Sequence, residues 1–388
     1  MAFLRTLRGP VGRAIVAASA AVASLSHVML VEAEQDTRFS TKGFDAKVLL
    51  KPDDSEIRRG MIEMISDAQN LIRQKVNSLE EAACAPGETP VRCIVDVDDR
   101  RKDGKFGVAV AIQDGRVFEK GAASMTVMSK PLSAGMVRQM SSNHAGLKQK
   151  LAEVDDSNTD PFKMWVCGLS LIMHPRHPLG ATVHLNYRYF EVMKGEEVVA
   201  WWFGGGNDLT PIYFNLDDAI HFHKTLKTVC DRHDEKYYPE FKDWADKYFY
   251  HKARKEARGV GGIFFDDLHN KPKEELFAFV TDCLGAFIPA YFPTLESKLD
   301  QPVTMKMKEW QALRHGRYVE FNLVYDRGTK FGFQVPGVNI ENVLISLPLS
   351  VRFEYKNLPK PFSAEAELLS ILTGPPLDYA ALLSKGKR

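Results

Sequence analysis

The sequence predicts an α+β fold, a single domain in which one broad antiparallel β-sheet is covered on both faces by helices. Three observations carry this. Runs of β character follow one another with brief connections, as antiparallel neighbours allow. Apolar stripes at helical spacing precede, interrupt and follow those runs. After residue 40 no Pro/Gly/Ser-rich linker divides the chain.

Residues 1–31 stand apart. Arg5, Arg8 and Arg13 are present, the first acidic residue is Glu32, and 14–31 is an apolar run, AIVAASAAVASLSHVMLV. This is the composition of a two-part mitochondrial signal, a basic targeting segment followed by a hydrophobic sorting segment. A retained membrane anchor is the rival, although the run is short and rich in Ala rather than Leu. The expected organisation is a presequence over 1–35 and a folded domain over 36–388, released into the intermembrane space.

The first helix is expected over 56–83, from the stripe Ile57, Met61, Ile65, Ala68, Ile72, Val76 and Leu79. APGETP ends it. RCIVDVD, KFGVAVAIQ and ASMTVM then read as strands, 134–154 as a helix, and 165–174, 181–193 and 197–203 as further strands. Helices are expected over 216–233, 238–256 and 273–299, late strands over 316–325 and 345–355, and a closing helix from about 364.

Composition excludes some functions. The 388 residues carry 51 basic and 50 acidic side chains, a net charge of +1, so nucleic acid is not an expected partner. The five cysteines, Cys84, Cys93, Cys167, Cys230 and Cys283, form no CxxC pair, which argues against a disulfide framework or a structural zinc site.

The chemistry concentrates in TVHLNYRYFEV, 182–192. In a strand, Thr182, His184, Asn186, Arg188 and Phe190 share one face, with Val183, Leu185, Tyr187 and Tyr189 on the other. An exposed strand face would account for Lys, Glu or Thr in such a row. His, Asn and Arg instead combine a proton shuttle, a bifunctional amide and a planar carboxylate fork. WWFGGGNDLTP follows at 201–211, with Gly204–Gly206 expected to turn the chain and place Asp208 on a loop as an acceptor for a ligand N–H. Neither it nor RGVGG at 258–262 matches a Walker loop or a dinucleotide fingerprint. In GRYVEFNLVYDRGTKFGFQVPGVN, Tyr318, Glu320 and Asn322 would share a strand face ending in the turn Asp326-Arg327-Gly328.

HLNYRYFE, WWFGGGNDLTP, GVGGIFFDDL, GRYVEFNLVYDRGTKFG and SLPLSVRFEY, in this order, resemble oxygen-dependent coproporphyrinogen III oxidase, closely from Lys163 to Tyr355 and more weakly over 40–130. The resemblance implies a homodimer that converts two propionates of coproporphyrinogen III to vinyl groups. Dioxygen is then the oxidant, no organic cofactor or metal is needed, and protoporphyrinogen IX, carbon dioxide and hydrogen peroxide are the products. It implies His184 as proton donor, Asp208 as the acid holding pyrrole nitrogens, and Asp326 and Arg327 as an acid and base. Substrate contacts fall to Ser170, Asn186, Tyr187 and Arg188, to Tyr318, Val319 and Glu320, and to Gly337, Val338 and Asn339. Membrane association is expected to be peripheral or transient.

The chain departs from that family in three places. Asn339 stands where the family has an arginine. GKFGVAVAIQ replaces an upstream Gly-rich segment, and Ala253 replaces the histidine before Arg254. Some bacterial members are thought to place three histidines on a divalent metal. His174 and His223 match two, Ala253 removes the third, and His251 would lie on a different helical face. A tetrapyrrole-binding paralogue and a metal-dependent oxidase are therefore the alternatives to the active, metal-free enzyme.

Overall fold

The sheet is a meander with one late addition. Strands β1 (Ile94–Arg100), β2 (Lys105–Gln113), β3 (Phe118–Pro131), β4 (Phe162–Pro175), β5 (Thr182–Lys194) and β6 (Glu197–Thr210) each pair antiparallel with the one before. A small hairpin, β7 (Tyr250–His251) with β8 (Glu256–Ala257), precedes β9 (Gly261–Leu268), which adds to β6 and completes a 7-stranded antiparallel sheet. The computed structural model describes residues 42–143, 147–148, 161–334 and 339–385.

Helices cover both faces, as predicted. Helix α1 (Glu56–Ala82) starts at Ser55, whose Oγ accepts the Arg58 N–H at 3.3 Å, and its stripe Ile57, Met61, Ile65, Ile72 and Val76 is buried across β3 and β4. Helices α3 (Leu216–His233), α5 (Lys273–Gly285) and α6 (Phe287–Glu296) share that side. They bury Leu185, Tyr187, Tyr189, Phe203 and Phe265 against Phe222, Phe279 and Phe287, and area removed from water makes this core the main stabilising term. On the opposite face, α2 (Ala134–Asn143) sends Val137 towards Met164, Val192 and Trp202. Helix α4 (Tyr237–Tyr248) caps the β9 edge, and α7 (Met305–Val324) brings Phe321 to Phe249 and Phe264.

Several expectations are corrected. The segment 316–325 is not a strand: it is the end of α7, where Trp310, Leu313, Arg314, Tyr318, Phe321 and Asn322 are buried at helical spacing. Aromatic and β-branched content suggests a strand, but the period of burial decides. Thr304 caps that helix, accepting the Met307 N–H at 3.3 Å. Residues 345–355 form no strand either, because side chains take the backbone groups that a ladder would use. Glu119 accepts the Ser350 N–H at 3.0 Å, and His174 holds the Ser346 carbonyl at 2.9 Å. The helix expected over 238–256 ends at Tyr248 and gives way to the β7–β8 hairpin, so His251 and Ala253 are not helical. Residues 273–299 form two helices, and β9 was not anticipated. The described parts of the helix expected over 134–154 are α2 and the helical pair 147–148; 144–146 and 149–160, like the expected presequence, lie outside the described residues. Two short helices, α8 (Arg327–Gln334) and α9 (Ile340–Leu344), follow α7. The closing helix appears as α10 (Ala364–Thr373), followed by α11 (Tyr379–Lys385).

Candidate active site

Alternation along β5 divides the strand as expected. Val183, Leu185, Tyr187 and Tyr189 are fully buried on the side of α1, α3, α5 and α6, whereas His184, Asn186, Arg188 and Phe190 are half-buried on the other face. The residues beside that row are small. Register places Ser170 and Gly206 on either side of Asn186, and Gly168 and Gly204 on either side of Arg188. Ser124 and Thr126 of β3 extend the same rows. The result is a shallow basin floored by serine, threonine and glycine, with the Phe190 ring stacked on Trp202 at one end, 4.8 Å between centroids. A flat ligand could lie on such a floor, because few side chains rise from it.

The glycines do not turn the chain. Gly204–Gly206 and Asp208 lie inside β6, which continues to Thr210, so Asp208 is not on a loop. What the glycines supply is close approach: a Cβ on Gly206 would stand 2.3 Å from the Ile263 carbonyl oxygen of β9.

Asp208 sits directly across from His184 in the register and is 1% exposed. His184 Nδ1 lies 2.7 Å from Asp208 Oδ1, and Arg258 Nη2 donates to both carboxylate oxygens at 2.7 Å. Arg258 is itself buried, its guanidinium 4.1 Å from the Phe249 ring, 4.9 Å from Phe321 and 5.1 Å from Tyr318. Burial alone would push the Asp208 carboxyl up; Arg258 and then His184 outweigh it, and the group sits below the ordinary carboxylate value. Burial lowers Arg258 while Asp208 raises it, and the net shift is upward. The pair is therefore ionised, and both oxygens of the carboxylate are held by protein donors. It fixes His184 by its Nδ1 side.

At the rim, Arg188 Nη1 donates to Asn186 Oδ1 at 2.8 Å, and Arg188 Nη2 lies 3.0 Å from Asp266 Oδ2. Arg327 Nη2 approaches the same oxygen at 3.6 Å, and its guanidinium lies over Tyr248 at 4.9 Å. One carboxylate thus bridges two predicted site arginines. Asp326 works locally: its Oδ2 accepts the Thr329 N–H at 2.7 Å, capping α8, and Tyr248 donates to its Oδ1 at 3.3 Å.

Other predicted residues are placed away from the basin face. Tyr187 points into the helical core, its hydroxyl accepting from Asn207 Nδ2 at 3.1 Å. Tyr318 lies beneath Arg258 on α7, while Val319 is half-buried on the same helix. Glu320 is engaged by Arg254 at 2.7 Å, Arg317 at 3.2 Å and His251 at 3.2 Å. Asn339 is exposed and caps α9 by accepting the Glu341 N–H at 3.0 Å; Gly337 and Val338 lie outside the described residues. His174 is buried with its ring nitrogens on Thr182 and Ser346, and His223 with its own on Tyr238 and Val260.

Sequence reasoning missed Arg258 and Asp266. The signal for Arg258 was the glycine cluster after it. A Cβ at Gly259 would lie 2.1 Å from the Leu209 carbonyl oxygen, and Gly262 has φ 157° with a Cβ position 1.9 Å from the Asn207 carbonyl oxygen. Only glycine lets this segment press onto β6 and set Arg258 under Asp208.

A family model described as coproporphyrinogen III oxidase matches residues 60–377. The mitochondrial oxygen-dependent coproporphyrinogen-III oxidase of Rattus norvegicus is 49% identical over 275 residues, 71% of this chain and 60% of the relative. The chain thus spans about 60% of that relative's length. The oxygen-dependent coproporphyrinogen-III oxidase of Drosophila melanogaster is 42% identical over 330 residues, 82% of each chain. The chloroplastic coproporphyrinogen-III oxidase 1 of Arabidopsis thaliana is 42% identical over 279 residues, 71% of this chain and 69% of the relative.

Proposed function

The chain belongs to the coproporphyrinogen III oxidase family, and we propose from that premise that it oxidatively decarboxylates two propionates of coproporphyrinogen III, giving protoporphyrinogen IX for haem synthesis. For each side chain, –CH2CH2COO⁻ with O2 and a proton gives –CH=CH2, CO2 and H2O2. The leaving carboxylate's electron pair forms the vinyl bond, and two electrons pass to dioxygen. The observation that carries this reading is the His184–Asp208–Arg258 clamp beside a small-residue floor edged by Asn186 and Arg188.

Each group has a part. Arg188 and Asn186 take a propionate, since a guanidinium fork and an amide suit a carboxylate. With Asp208 accepting from Nδ1, the Nε2 of His184 is the nitrogen available to substrate, and the buried carboxylate stabilises the imidazolium that forms. Ser170 and Gly168 keep the floor low for a flat macrocycle. No metal or organic cofactor is proposed, because each propionate side chain supplies the two electrons that dioxygen takes up. Activity is expected to survive EDTA; loss on chelation with rescue by manganese would favour a metal-dependent oxidase.

The proposal extends to a homodimer. Phe353, Tyr355, Leu358 and Phe362 are 60%, 89%, 83% and 105% exposed along one segment, an apolar surface that a second copy would cover. It also extends to mitochondrial delivery and intermembrane-space residence, supported by the arginine-bearing, acid-free start and by the mitochondrial rat relative.

The deciding experiment mixes the protein with anaerobically prepared coproporphyrinogen III, admits air, oxidises all products to porphyrins and separates them. A dicarboxylic porphyrin is expected. Recovery of the tetracarboxylic porphyrin alone would leave binding without turnover.

A further inference from the structure

Asp266 lies in the FFDD stretch that ends β9, and nothing in the proposed reaction uses it. Its position is nonetheless specific. Oδ1 accepts the N–H of Asp267, which has the left-handed φ of 53°, so the irregularity near the end of β9, where its register with β6 shifts between Phe265 and Leu268, fixes the carboxylate's direction. Oδ2 is then the atom that faces both Arg188, at 3.0 Å, and Arg327, at 3.6 Å. Gly204 makes room for this: a Cβ there would lie 2.8 Å from Asp266 Oδ1 and 3.0 Å from Arg188 Nε. An internal carboxylate thus occupies the angle between the two guanidiniums at the rim of the basin.

We infer that Asp266 is a specificity-determining residue, one that admits a single substrate carboxylate to this corner and rejects a second. Two arginines and one aspartate leave a net single positive charge, which one propionate neutralises. A pyrrole bearing propionate and methyl satisfies that balance. A pyrrole whose methyl is replaced by carboxymethyl brings a second anion beside Asp266, in a half-buried place where like charges are poorly screened. Selectivity then comes from repulsion of the wrong substrate as much as from attraction of the right one.

This rests on the reading that the basin binds coproporphyrinogen III, and the test separates the two. Wild type, Asp266→Asn and Asp266→Glu are compared for coproporphyrinogen III turnover and for inhibition by the analogue with one carboxymethyl in place of a ring methyl. Asp266→Asn is expected to tighten the analogue relative to coproporphyrinogen III by about tenfold, ~1.4 kcal/mol, through KM and Ki rather than kcat. Asp266→Glu restores the charge and is expected to restore the discrimination. A relative change under about threefold for Asp266→Asn, or no restoration by Asp266→Glu, overturns the inference. Asp266→Ser takes the place of the amide variant if that variant does not fold. If wild type does not turn over coproporphyrinogen III, the reading of the reaction falls first, and the binding ratio of the two porphyrinogens, measured by fluorescence, still decides the role of Asp266.

Discussion

Arg258 and Asp208 are each 2% exposed at the side chain, so neither charge can be removed alone without stranding the other. Asp208→Ala is expected to abolish turnover and, contrary to what a loop position would imply, to cost about 3–5 kcal/mol of stability, measured by urea denaturation. Replacing both residues, Asp208→Leu with Arg258→Met, is expected to recover much of that stability and none of the activity. The sign with pH follows from the depressed carboxyl. Its contribution is complete above the unfolded value of 3.8 and is lost as pH falls through the lower folded value. Arg188→Lys keeps a charge and loses the fork, so KM is expected to rise by the equivalent of about 1–3 kcal/mol, with folding unchanged; steady-state kinetics checks it. At this scale the sequence exposed His184, Asn186 and Arg188, because a period of two is local. It could not expose the partners of Asp208, which come from 24 and 50 residues away.

The elements show where local signals mislead. Three glycines in β6 read as a turn because glycine usually punctuates, yet here they permit contact between strands. Gly206→Ala is accordingly expected to lower Tm and to weaken the β6–β9 pairing, with a cost of roughly 1–3 kcal/mol, read by thermal melts and amide exchange in β9. Helix α3 carries a second test. His223 is buried between Tyr238 and the Val260 carbonyl and stacks on Tyr379 of α11 at 4.0 Å. Burial pulls its pKa from 6.5 to about 3, so the unfolded chain binds the proton more tightly between those values. Stability is expected to fall as pH drops from 6.5 towards 3, and His223→Gln to flatten that slope in a pH series of melts. The stripe of α1 and the alternation of β5 were legible because each is set by its own sequence. The helical state of 316–325 was not, because its buried face is defined by Arg258, Phe249 and Phe264 from other elements.

For the whole molecule, the exposed run from Phe353 to Phe362 is the feature that an isolated chain leaves unsatisfied. Tyr355→Ser with Leu358→Lys is expected to leave the proposed dimer monomeric in analytical ultracentrifugation without disturbing the sheet. The order of strands has a consequence for how the chain assembles its candidate site. Six strands pair with their neighbours in sequence, all but β3 and β4 across short connections, so a growing polypeptide can add them one after another. β9 alone must wait for α3 and α4 to be made, and it arrives with Arg258 just ahead of it. Until then Asp208 is a carboxylate without its counter-charge on an unpaired edge. During synthesis the nascent chain therefore passes through a sheet that is nearly complete, lacks its buried ion pair and is prone to associate, and the event that protects its edge also fixes His184, the proposed proton donor.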